Sequence, residues 1–148
     1  VKRPPPHGPL SQYIELKTSR IISSQRDETN FERRKLIKFW AQSFLVGTPT
    51  IICGFRDDDG FVKTVQTFKT MEIPRMVRGK DNMWDANVCI NFANAVLNWI
   101  REHVTEDDPQ VTYTISWKQP WQNVELTYAG KTNAFLTESY LKGEMRPE

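Results

Sequence analysis

The apolar positions of the chain fall into two kinds of repeat, and these divide it into elements. Val88, Ile90, Phe92, Ala95, Val96, Trp99 and Ile100 recur at helical spacing and predict a long helix, with Asp85 or Asn87 as its cap and Asp107-Asp108-Pro109 as its break. An earlier helix is predicted over about 31–46, capped by Thr29 or Asn30 and stopped by Gly47 and Pro49. The unbroken apolar run 49–55 reads as a buried strand. Asp57-Asp58-Asp59-Gly60 is a turn, and the alternation over 61–69 completes a hairpin. Val111, Tyr113, Ile115 and Trp117 alternate, as do Val124, Leu126 and Tyr128, so two further strands are expected on either side of Pro120. Residues 12–17 are short and β-favouring and read as a strand. Residues 18–28 read as a polar connector, 71–83 as a charged loop, 135–140 as a short helix or coil, and the stretch beyond Gly143 as a polar tail. The expected class is α+β: a mixed sheet of about five strands with two principal helices flanking it.

Composition narrows the class without naming a partner. A chain of 148 residues is long enough for one domain with a real core, and 39% hydrophobic with 26% charged residues is ordinary for a soluble globular protein. The net charge of +2 makes the chain no polycation; it neither demands a nucleic-acid partner nor excludes a local basic channel. Cys53 and Cys89 lie far apart in apolar surroundings, without metal-ligand spacing, and read as buried free thiols in a reducing, intracellular setting. No run of about 18 apolar residues occurs, so no transmembrane helix and no membrane partner is expected. Residues 1–11 are rich in proline and lack the apolar stretch of a signal peptide; they read as a poorly ordered lead-in or a cut surface loop.

The candidate chemistry begins in the first strand. Residues two apart on a strand share a face, so Glu15 and Lys17 project together and Leu16 is expected to face the core. Such a pair is either a surface ion pair of little energetic weight or half of a metal-nuclease site. In the latter the carboxylate holds Mg²⁺ and the Lys faces the scissile phosphate. One carboxylate alone is too few ligands for magnesium. Gln42 follows on the first helix, a polar amide among Phe39, Leu45 and Val46, with Lys38 and Lys35 one and two turns earlier. A buried amide there must find a partner in backbone, water or ligand, either as a satisfied core residue or as a phosphate contact. Elsewhere, Arg56 is expected to pair with the acidic turn 57–59. Arg75, Arg78 and Lys80 form a small basic cluster, solvated or phosphate-steering. Trp40 and Trp99 are expected in the core.

At this point several blocks together resemble one family. Tyr13-Ile14-Glu15-Leu16-Lys17-Thr18-Ser19, then the stretch from Lys38 to Gly47, then Gly54-Phe55-Arg56, are similar to the DXO/Rai decapping-exoribonuclease family. The stretch from Thr67 to Pro74 and the helix start from Trp84 to Phe92 look like its fungal nuclear branch. The resemblance implies two mixed β-sheets flanked by helices, related to the PD-(D/E)XK nucleases. It implies hydrolysis at RNA 5′ ends: pyrophosphate release from triphosphate ends, removal of incomplete or NAD caps, and in some members 5′→3′ exonuclease action, within RNA quality control in the nucleus. It further implies that Glu15 and the backbone carbonyl of Leu16 ligate Mg²⁺ or Mn²⁺, and that Lys17 and Gln42 contact the phosphate at the cleaved bond. An alternative within the same family is a non-catalytic module that stabilises a nuclear 5′→3′ exoribonuclease.

The sequence departs from the family pattern in one respect. The family has further acidic ligands and a substrate-binding arginine upstream of Glu-x-Lys, whereas fourteen residues precede Glu15 here and none is acidic. Residues 12–148 are therefore expected to be the C-terminal part of a single decapping-nuclease domain. They would be partnered by an N-terminal half of the same protein and inactive alone.

Overall fold

The computed structural model describes residues 12–131 and 135–143; the proline-rich lead-in and the polar tail fall outside these. The chain divides into two compact units, one ending at Ile90 and one beginning at Asn91.

In the first unit, strand β1 (Ile14–Arg20) is followed by helix α1 (Gln25–Asn30), a π-helical turn (Phe31–Leu36) and helix α2 (Ile37–Val46). Strands β2 (Thr50–Arg56) and β3 (Val62–Lys69) come next, then a 3-10 turn (Thr70–Glu72) and helix α3 (Ile73–Val77). The sheet order is β1-β2-β3. β1 and β2 run parallel, with Glu15 opposite Ile51 and Lys17 opposite Cys53, while β2 and β3 form the expected antiparallel hairpin. A parallel pair needs a crossover, and the helical stretch between them supplies it.

The helical stretch begins six residues earlier than its apolar periodicity indicates. Ser24, not Thr29 or Asn30, is the cap: its side chain accepts from the Asp27 amide, which sets the first turn among polar residues that carry no apolar signal. The end is as expected, at Gly47 with φ 76°. Residues 71–83 are not all loop. Pro74 sits in the first turn of α3, where its missing N–H costs nothing.

The core lies between the sheet and this helical stretch. Phe31, Leu36, Phe39 and Trp40 pack on Ile51, Cys53, Phe55 and Phe68. The Phe31 ring meets those of Phe39, Phe55 and Phe68 at 6.0, 5.4 and 6.1 Å between centroids. Trp40 stacks between Phe44 and Trp84. The buried Glu32 carboxylate takes two bonds from Lys80, at 2.6 and 2.7 Å, so Lys80 is tied into the fold rather than free to meet phosphate.

Within the first unit, and among the described residues, the helical stretch covers one face of the sheet, which overturns one expectation. Glu15, Lys17 and Ser19 take the helix side, so Leu16 points the other way and is 70% exposed, with Ile14 beside it at 52%. A second expectation also fails. Arg56 makes no ion pair with the acidic turn; among the described residues its guanidinium donates to the Asp57 backbone carbonyl, at 3.4 Å. The turn carboxylates go instead to Arg20 (Asp58, 2.7 Å) and Lys63 (Asp57, 3.0 Å), which approach from the neighbouring strands.

Helix α4 (Ala86–His103) runs from one unit into the other. Asp85 caps it, accepting from the amides of Asn87 and Val88 at 2.7 and 3.1 Å. Its first residues Ala86, Cys89 and Ile90 pack on the core of the first unit. In the second unit β4 (Thr112–Trp117) and β5 (Val124–Gly130) form an antiparallel pair, and Thr137 caps the short α5 (Glu138–Leu141). The five strands of the described residues thus form two sheets of three and two, as the family resemblance implies and not the single sheet that the alternation suggests. Trp99, expected in a core, is half-buried and stacks on His103. Among the described residues no helix is long and apolar enough to cross a membrane.

Candidate phosphate-facing site on the first strand

Alternation along β1 places Glu15, Lys17 and Ser19 on the face toward the helices. Lys17 is the hub. Its Nζ lies 2.6 Å from the Glu15 carboxylate and donates to Gln42 Oε1 at 2.8 Å. The ammonium also stands 5.9 Å from the centroid of the buried Phe39 ring, which forms an apolar floor beneath it. Lys17 retains 20% of its side-chain exposure and Glu15 38%, so the pair sits at a rim open to solvent.

Gln42 is exposed, not buried as its apolar helical neighbours suggested. Phe39 turns into the core while Leu45 and Val46 are themselves exposed, so the face that carries Gln42 is the open edge of α2. The amide oxygen is engaged by Lys17, which leaves its N–H₂ group without a bond to any described residue. The three sequence-selected side chains Glu15, Lys17 and Gln42 are therefore brought together, on two elements separated by the whole crossover. Leu16, between them in β1, pairs in register with Ile52.

Ser19 was not singled out by sequence, although its spacing from Glu15 and Lys17 carried the signal. It is buried, and its hydroxyl accepts from Lys35 Nζ at 3.0 Å. Lys35 belongs to the π-helical turn, a feature frequent at functional sites.

The donor set is chemically suited to a hard cation and numerically incomplete. Carboxylate and carbonyl oxygens are what Mg²⁺ or Mn²⁺ takes, yet Glu15 is one carboxylate. Among the described residues no group of three or more His, Cys, Asp or Glu stands together. What the chain does provide is one anionic oxygen donor beside an ammonium and an amide N–H₂, a combination that can hold a phosphoryl oxygen against a cation.

Residues 1–141 match the family model described as "RAI1 like PD-(D/E)XK nuclease". A decapping and exoribonuclease protein of Xenopus laevis is 46% identical over 110 residues, covering 74% of this chain and 27% of that protein. The crystal structure of Scheffersomyces stipitis Rai1 in complex with (3′-NADP)+ and calcium ion matches with a TM-score of 0.77 and 33% identity over 90% of this chain and 36% of that one. Candida albicans Rai1 in complex with pU5-Mn2+ matches with a TM-score of 0.72 and 30% identity, over 93% of this chain and 35% of that one. The chain spans between about a quarter and a little over a third of the length of these proteins.

Proposed function

Because the chain belongs to the RAI1-like PD-(D/E)XK nuclease family, we propose that Glu15, Lys17 and Gln42 are its contribution to an active site that hydrolyses phosphate bonds at RNA 5′ ends. The observation that carries this reading is the Lys17 ammonium held between Glu15 at 2.6 Å and Gln42 at 2.8 Å on an open rim. A cation fixed beside an oxygen donor is positioned before reaction and needs no reorganisation as charge develops on phosphate.

The roles follow from the atoms. Glu15 and the Leu16 carbonyl would hold a divalent cation, Mg²⁺ or Mn²⁺, which when bound activates water and neutralises charge on phosphate. Lys17 and the Gln42 N–H₂ would bind non-bridging oxygens of the phosphate at the cleaved bond. The substrates proposed are triphosphate ends, incomplete caps and NAD caps, with 5′→3′ exonuclease action as a further activity of the same site. The remaining acidic ligands would come from an N-terminal half of the same protein, residues 12–148 being the C-terminal part of one domain. The setting proposed is nuclear RNA quality control.

The chain alone is proposed to be inactive, since one carboxylate cannot retain a catalytic ion. Incubating it with triphosphorylated RNA and Mg²⁺ or Mn²⁺ should release no pyrophosphate, and completing it with the rest of a family-length domain should restore release. Pyrophosphate release by the 148 residues alone would contradict this. A second role within the same family is a partner module that stabilises a nuclear 5′→3′ exoribonuclease. Loss of hydrolysis in Glu15→Ala with retained exoribonuclease binding would establish both roles.

A further inference from the structure

Beyond the end of the Glu15–Lys17 rim lies an open cavity of about 340 Å³ between the C-terminal end of β1 and the helical stretch. Its lining includes Ser19, Arg20, Arg26, Asp27, Arg34 and Lys35. The balance of charge decides what it can take. Arg20 is paired with Asp58 at 2.7 Å, outside the cavity. Asp27 accepts from the hydroxyls of Ser23 and Ser24, at 3.1 and 2.7 Å, and these bonds hold its carboxyl below the usual carboxylate range. Asp27 therefore stays ionised and counts against an anion. Arg26, Arg34 and Lys35 form no ion pair with any described residue, so three unneutralised cations line the cavity against that one carboxylate.

Position gives these cations a direction. Lys17 and Ser19 share a face of β1 two residues apart, about 7 Å along a strand. Lys35 Nζ bonds the Ser19 hydroxyl, so the Lys35 ammonium succeeds that of Lys17 along the same strand face. The π-helical turn carries both Arg34 and Lys35 on successive residues. The result is a basic track that starts at the Glu15–Lys17–Gln42 rim and continues into the cavity. A groove of cations at backbone repeat distance is how proteins follow single-stranded nucleic acid without reading its bases.

We propose that this cavity is a second phosphate subsite, which takes an internucleotide phosphate of the RNA strand whose 5′ end lies at Glu15, Lys17 and Gln42. It rests on the functional reading above and adds a substrate property: the site favours an RNA chain over a free nucleotide, independent of sequence. Arg26 and Arg34 are exposed and form no ion pair with any described residue, so replacing them leaves the core untouched.

The test uses a fluorescently labelled short oligouridylate and the 148-residue chain, with affinity measured across a salt series. Arg26→Ala/Arg34→Ala should weaken binding several-fold and flatten the log–log salt dependence by about 1.4, at about 0.7 per lost contact to a single strand. Unchanged affinity and slope, or no measurable binding by the parent chain, would overturn the subsite. Equal competition by polyglutamate would also overturn it, because the cavity would then be a general acidic-peptide surface. A second arm uses the completed protein. The double variant should raise KM for a long triphosphorylated RNA and leave that for a nucleoside triphosphate, which has no internucleotide phosphate, unaffected; equal KM changes for both would count against the subsite. Hydrolysis absent from parent and variant alike rejects the functional reading, while the salt slope still decides the subsite.

Discussion

Lys17 donates to Gln42 across 2.8 Å, joining the first strand to a helix twenty-five residues later. The bond occupies the amide oxygen and leaves the N–H₂ group of the exposed Gln42 as a donor without a bond to any described residue. In the completed protein, Gln42→Ala should lower kcat about tenfold, the loss of one hydrogen bond to charge at about 1.4 kcal/mol. Lys17→Ala should cost about 10²–10³-fold, as for removal of a preorganised electrostatic donor. Steady-state kinetics on triphosphorylated RNA checks both, and equal effects of the two variants would contradict the assigned roles.

Leu16 and Leu36 make opposite predictions. Leu36 is fully buried against the aromatic core, and Leu36→Ala should destabilise the chain by about 2–5 kcal/mol in urea denaturation. Leu16 is 70% exposed, and Leu16→Ala should stay within about 0.5 kcal/mol. A large effect at Leu16 in this chain would place it in a core after all.

Leu16 also marks the limit of what sequence conveyed. Alternation established that Glu15 and Lys17 share a face, but an alternating strand does not say which face meets the helices. The crossover covers one side, and the ionic residues were on it. Gln42 failed for a related reason: its apolar neighbours Leu45 and Val46 are exposed, so they marked an open helix edge rather than a core. The hairpin, the helix stop at Gly47 and the Asp85 cap were legible because each depends on local turn chemistry. The start of α1, set by a serine cap before a polar turn, was not. The split into two sheets, set by long-range pairing, was legible through the family resemblance and not through the alternation.

Ser43 is 1% exposed, and its hydroxyl has no hydrogen-bond partner among the described residues. An unsatisfied buried hydroxyl costs about 1–3 kcal/mol, so Ser43→Ala should raise stability by about 1 kcal/mol. A denaturation midpoint below that of the parent chain would contradict the assignment.

Asp57 couples the hairpin to pH. Its carboxylate pairs with Lys63 and accepts from the Phe61 amide at 2.8 Å, and these contacts, Lys63 first, hold its carboxyl below the ordinary value. A lowered folded pKa gives stability that is present above the unfolded value of about 3.9 and is lost as pH falls through the folded one. The Phe61 amide resonance should therefore hold steady down to about pH 4 and move below it. Asp57→Asn should abolish that movement, and a titration near neutrality would contradict the pairing.

Cys53 is fully buried, and burial pushes its thiol up; Cys89 is half-buried at the edge of the core. In the native chain Cys89 should be alkylated well before Cys53, because thiolate and access are both required. Mass spectrometry after timed iodoacetamide treatment checks the order, and modification of Cys53 first would contradict the packing.

Pyrophosphate release from triphosphorylated RNA by the completed protein in Mg²⁺ or Mn²⁺, compared between the parent and Glu15→Ala, tests the assigned site most directly. Removal of a cation-holding carboxylate predicts a loss of at least about 10²-fold with the fold intact. Release at the parent rate in Glu15→Ala would show that the Glu15–Lys17 pair is a surface ion pair and not part of a hydrolytic centre.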